Sequence, residues 1–180
     1  MRTRIKIVLA SLVAGISLVF LASGFAGANH ETKTFDYILG VDPVHGPVVS
    51  MASNGDTIEI MGEGTLSIHP KSVTGGGTLV HKDSDGNVVG TGTWEAERLL
   101  SFVPWGTTQG FPENFEGGKA ILQVTLKNNE TGQEFDGILR LECLIGDFPA
   151  SAEEGAKLWI RGGPNFREVV SGETLFIRTD

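Results

Sequence analysis

The 180-residue chain holds a single cysteine, Cys143, so no disulfide can form within it. Histidine is almost as scarce, with four in all, and no His-x-His, His-x-x-x-His or paired-cysteine spacing marks a metal site. No window keeps an apolar period of 3.6 residues, which excludes helices as the frame of the fold. No glycine-rich phosphate loop precedes a helix, and no nucleophile elbow is present. Basic residues are few as well: 14 against 22 acidic, a net charge of −8. A chain this acidic has no stripe for nucleic-acid phosphates or anionic lipid.

What is present starts with a leader-like segment. Arg2, Arg4 and Lys6 precede an uncharged apolar run from Ile7 to Ala22, and Ala26-Gly27-Ala28 supplies the small residues of a cleavage site. Residues 1–28 are therefore expected to be a signal peptide, residues 29–180 a single all-β domain, and the protein secreted or periplasmic. Cleavage would leave no stable membrane insertion. Loss of the three basic residues in that segment, with no acid, takes the net charge from −8 to −11.

The mature part is organised around Gly75 to Phe102, where two β-prone runs flank Asp83-Ser84-Asp85-Gly86-Asn87. An Asp-Gly turn between alternating runs is a strong hairpin signal. The same segment does not meet the EF-hand count, since Val88 and Trp94 stand where Gly and Glu are needed. Ahead of it, Thr57 to His69 alternates around Gly62-Glu63-Gly64, which predicts one long strand with a bulge or kink. Pro43 and Pro47 predict an extended edge or loop over 41–49. After it, Lys119–Lys127 and Phe135–Ile145 alternate cleanly, and Lys157–Arg161 with Glu173–Arg178 read as a last strand pair. Asn129-Glu130-Thr131 is a glycosylation sequon on a turn. The sum is an antiparallel β-barrel of about seven to nine strands, with a β-sandwich as the alternative.

Pro104 to Gly118 lacks strand character and carries Trp105, Phe111 and Phe115, so it reads as an aromatic lid. Along the second hairpin strand, Trp94, Ala96, Arg98, Leu100 and Phe102 share a face if no bulge intervenes, and glycines beside Trp94 leave room for its ring. Glu95 and Glu97 share the other face, and Arg140 and Glu142 stand between apolar residues further on. Charges within apolar strands sit either outside, in cross-strand pairs, or inside, as the polar handles of a pocket. The lumenal reading makes Trp94, Phe102, Trp105, Phe115 and Glu142 ligand contacts. It makes Glu97, Glu95, Arg98 and Arg140 the catalytic candidates. His69 and His81, on neighbouring strands, are the weak metal alternative, and Cys143 alternates with Leu141 and Ile145 as a small core residue.

Gly64 to Phe102, Phe115-Glu116-Gly117-Gly118 and Val170 to Ile177 together resemble a group of small secreted all-β proteins; that resemblance implies no activity. The glycine-rich strands Gly62–Leu66 and Gly75–Leu79 are similar in texture to allene oxide cyclase and dirigent-type barrels. This second resemblance implies a cofactor-free barrel that steers cyclisation or coupling. The expected function is binding of a small, largely apolar molecule in the lumen, without cofactor. A cyclase or isomerase using a lumenal carboxylate, or a non-catalytic surface or assembly protein, are the alternatives. Homo-oligomerisation stays open.

Overall fold

The computed structural model describes residues 32–40 and 46–180, so the expected signal peptide lies outside the described residues. Ten strands form one antiparallel sheet: β1 (Thr34–Leu39), β2 (Val48–Ala52), β3 (Thr57–Ser67), β4 (Ser72–Lys82), β5 (Val88–Gly106), β6 (Gly117–Asn128), β7 (Glu134–Cys143), β8 (Gly155–Ile160), β9 (Asn165–Ser171) and β10 (Thr174–Arg178). Eight of them close into a ring, β3-β2-β9-β8-β7-β6-β5-β4 and back to β3. The all-β architecture expected from the alternating runs is what the chain adopts.

β3 is the pivot of this arrangement. Its one edge pairs with β4 without a register shift, from Thr57↔Lys82 to Ser67↔Ser72. Its other edge serves β2 over its first half and β1 over its second. Gly62-Glu63-Gly64, expected as a bulge or kink, is thus no bulge, because the β4 register runs through it unbroken; it is where the second partner changes. β1 then pairs with β10, and β10 reaches the start of β6 through a Phe115–Ile177 bridge.

The central hairpin forms as predicted. Asp83 Oδ1 accepts the N–H groups of Asp85 and Asn87 at 3.0 and 2.8 Å, which closes the β4–β5 turn. Two elements differ from expectation. β2 is paired on both edges, because Pro47 stops one residue short of it and only Val48–Ala52 enters the sheet. β9 occupies part of the presumed connection after Arg161, so β8 pairs with β7 and β9, and β10 pairs with β1.

Inward residues of the strands fill the ring. Phe35, Tyr37, Leu39, Ile60, Leu66, Leu122, Leu141, Phe166 and Phe176 are all fully buried. Phe102 packs at 4.9 Å from Phe35 and 5.0 Å from Phe176, ring centre to ring centre. Each such side chain contributes about 1.5–3 kcal/mol when removed from water. The interior is a packed core and not an empty lumen.

Candidate functional site

Three bulges in β5 decide which side chains reach the interior. The pairing with β6 shifts between Ala96 and Arg98, between Leu99 and Ser101, and between Pro104 and Gly106. Each extra residue reverses the inside–outside alternation. Trp94 therefore points inward, Glu95 and Glu97 outward, and Arg98 is turned out as well, while Leu99 is buried. The second bulge restores the original phase, which returns Phe102 to the core.

This placement corrects the lumenal assignment of the charged residues. Glu95, Glu97 and Arg98 are exposed on the outer face, and Arg98 Nη2 donates to Gln123 Oε1 at 2.8 Å. Arg140 and Glu142 alternate with the buried Leu139, Leu141 and Cys143, so they too face outward, paired with each other. Glu142 is nevertheless buried because the segment before β8 lies over it, with Glu153 N–H donating to its carboxylate at 3.2 Å.

The aromatic residues divide differently. Trp94 and Phe102 belong to the core and line no cavity; Trp94 Nε1 donates to the Met61 carbonyl at 3.0 Å, and its ring lies 6.5 Å from that of Tyr37. Trp105 packs outside against Phe148, 6.4 Å away. His69 stands in the β3–β4 turn and His81 near the far end of β4, about 30 Å along the strand, so they share no metal. Among the described residues no three histidine, cysteine or acidic side chains converge on a metal position.

The loop between β5 and β6 does fold onto the body. Phe115 N–H donates to Pro112 O at 2.9 Å, Glu116 N–H to Phe176 O at 3.0 Å, and Arg178 N–H to Asn114 O at 2.8 Å. Clipped to β10 in this way, Phe111 and Phe115 overhang a cleft of about 630 Å³. Ile38 of β1, Leu175 of β10, and Leu144 and Ile145 after β7 complete its apolar wall. Phe115 is the one residue of the expected ligand set that lines it.

The polar part of the cleft comes from Glu154, Glu173, Thr174 and Cys143. Glu154 Oε2 accepts the Leu144 N–H at 2.6 Å, and Oε1 accepts the Thr174 N–H at 2.8 Å, with the Thr174 hydroxyl at 3.1 Å. One carboxylate therefore ties the end of β7 to the start of β10. Burial raises the Glu154 carboxyl above the ordinary glutamate range, against the pull of those hydrogen bonds. The Cys143 thiol is pushed up to about 12, first by burial and then by the negative charge of Glu154. It stays protonated near neutral pH, which keeps the thiol unreactive.

None of the four polar residues was marked as a site residue by sequence. Glu154 follows Glu153 in the segment between the Pro149–Ala152 turn and β8, and only the folding of that segment against β10 gives the acid its place. The available signal was composition: an acid pair between the small residues Ala152 and Gly155, immediately ahead of a mostly apolar strand. Compared with family models, with curated proteins and with solved structures, the chain matches none of them.

Proposed function

We propose that the protein is a secreted binder of a small, largely apolar molecule, held in the cleft beneath Phe111 and Phe115 and not inside the ring. The observation that carries this reading is the cleft itself. At about 630 Å³ it falls in the size range of ligand sites, its walls are apolar, and a few polar groups converge at one end. A carboxyl raised by burial at that end is the kind of perturbed group that clusters at functional sites. Secretion rests on the leader-like segment 1–28.

Charge narrows the ligand class. Glu154 and Glu173 both act on the Cys143 thiol, so the polar end of the cleft is negative. A carboxylate or sulfonate ligand would meet like charge in a poorly solvated space, while a neutral or cationic apolar molecule would not. The cyclase alternative loses its named carboxylates, since Glu95 and Glu97 face outward.

The test uses two fluorescent probes of similar shape, neutral N-phenyl-1-naphthylamine and anionic 8-anilinonaphthalene-1-sulfonate. The neutral probe is expected to bind saturably and at least about tenfold more tightly, a difference of about 1.4 kcal/mol. Leu175→Arg, which puts a cation on the apolar wall, is expected to abolish that binding. Unsaturable binding, or binding indifferent to Leu175→Arg, would overturn the proposal.

A further inference from the structure

We propose a second, separate ligand site at the opposite end of the ring, a pocket for a small phenol-like molecule whose hydroxyl is received by His81. The two sites stand at opposite ends of β7: Cys143 and Leu144 line the first, Phe135 the second. That separation is about 27 Å of strand.

The second pocket is the open mouth of the core. Ile58, Leu79, Leu126, Phe135, Ile160 and Phe166 surround a space of about 200 Å³. An apolar cavity of about 150 Å³ suffices for benzene, so one substituted ring fits. The space exists because β5 carries Gly90 directly opposite His81 on β4. A methyl group built on Gly90 would meet nothing nearer than Asn128 Nδ2 at 3.8 Å, and Gly90 has ordinary negative-φ backbone. Nothing in the packing or the backbone demands glycine there; its effect is to leave the pocket open.

His81 supplies the polar feature. Its Nε2 lies 3.1 Å from Asp56 Oδ2, and its ring stands edge-on to Phe166, centres 5.4 Å apart at 81°. In the neutral imidazole Nε2–H donates to the Asp56 carboxylate, which leaves Nδ1 as a hydrogen-bond acceptor. Thr91, Lys127 and Asn128 also border the pocket, but the Thr91 hydroxyl already accepts from Asn129 and the Asn128 side-chain carbonyl oxygen from the Glu130 and Thr131 N–H groups. Mostly apolar walls with the His81 acceptor held in place select a flat molecule with one donor. A phenol meets both requirements, whereas a toluene-like ring meets only the first.

Titration of p-cresol and of toluene into the protein at pH 8, followed by NMR of the His81 ring and the Gly90 amide, tests this. For eight non-hydrogen atoms the expected dissociation constant of p-cresol is about 1 mM. Toluene is expected to bind about fivefold more weakly, the discrimination of one neutral hydrogen bond. Gly90→Val is expected to fill the pocket and eliminate the shifts while the melting temperature is kept. His81→Phe is expected to remove the preference for p-cresol over toluene. Absence of saturable shifts at His81 and Gly90, equal affinity for the two probes, or p-cresol binding that survives Gly90→Val would each overturn the assignment. Shifts confined to Leu175 and Phe115 would place the phenol in the first cleft and overturn it equally.

Discussion

Replacing Gly62 by alanine would place a methyl group 2.5 Å from Trp94 Cζ2 and 2.5 Å from the Gly76 carbonyl oxygen. Both distances are about 1 Å inside ordinary carbon contact. Neither neighbour has room to yield. The carbonyl belongs to β4 in an unbroken ladder with β3, and the indole is held by its bond to Met61 O and by the Tyr37 ring. Overpacking of this kind costs about 1–3 kcal/mol, from which the lower unfolded-state entropy of alanine returns about 0.4–1 kcal/mol. At mid-range the net cost is about 1.3 kcal/mol, and for a chain of this size each kcal/mol moves the melting temperature by about 2–4 °C, so Gly62→Ala is expected to melt about 3–5 °C lower. Tryptophan emission is expected to shift to the red, because Trp94 is the deepest of the three indoles. Gly90→Ala is the matched control: same strand system, no neighbour within contact, and an expected melting temperature equal or up to about 3 °C higher. Equal melting temperatures for Gly62→Ala and wild type, with unchanged emission, would refute the account of why glycines line β3 and β4.

The remaining predictions concern charge and reactivity. The Glu154 carboxyl is raised by burial, so between the unfolded and folded values the native state binds the extra proton, and its contribution to stability falls as pH rises through that window. The melting temperature of wild type minus that of Glu154→Gln is therefore expected to decrease from pH 4 to pH 7; a flat or rising difference would refute it. Asp83, lowered by its bonds from Asn87, titrates in the opposite sense but is common to both proteins and cancels. The Cys143 thiol is expected to resist Ellman's reagent in the native protein and to react fully in denaturant, since only its buried, protonated form is present in the fold. Arg98→Ala and Glu97→Gln are expected to change stability by less than about 0.5 kcal/mol and to leave probe binding intact, because both side chains lie outside.

The sequence carried the strand inventory well where turns and alternation agree. Asp83 to Asn87 announced the β4–β5 hairpin, and Lys119 to Ile145 announced β6 and β7. The glycine that makes room for the Trp94 ring is Gly62 on β3, which reads in the sequence as a bulge or kink, and not one beside or opposite Trp94. What escaped was the phase of β5. A bulge adds one residue to a strand without a fixed residue signature; Glu97 and Leu100 look like ordinary strand positions, and Trp105 reads as lid although β5 runs on to Gly106. A single missed bulge was enough to place Arg98 beside Trp94 on paper and on the opposite face in the fold. Plain alternation along β4 puts Leu79 and His81 on one face, because β4 has no bulge before Leu79 and none between Leu79 and His81. Glu154 was not legible, because its place depends on contacts to Leu144 and Thr174, ten and twenty residues away.

The two roles of glycine in this ring bear on why the two proposed sites lie toward its ends. Along the β3–β4 pair, Gly62 and Gly64 face side chains that need the space: Trp94 stands over one and the Tyr37 hydroxyl over the other, 2.5 Å from where a methyl group would be. The Tyr37 hydroxyl uses this access to donate to the Thr74 carbonyl at 2.9 Å. Those glycines admit large aromatic side chains to the interior, and the aromatics then occupy the volume an empty lumen would offer. Gly90, on β5 of the neighbouring β4–β5 hairpin, admits no such side chain, and the space opposite His81 stays open. Trp94, Tyr37, Phe102 and Phe176 fill the middle of the ring, and the two cavities proposed as sites lie away from them. These are the cleft under Phe115, closed by a loop clipped to β10, and the mouth beside His81, where β5 has no side chain to close it.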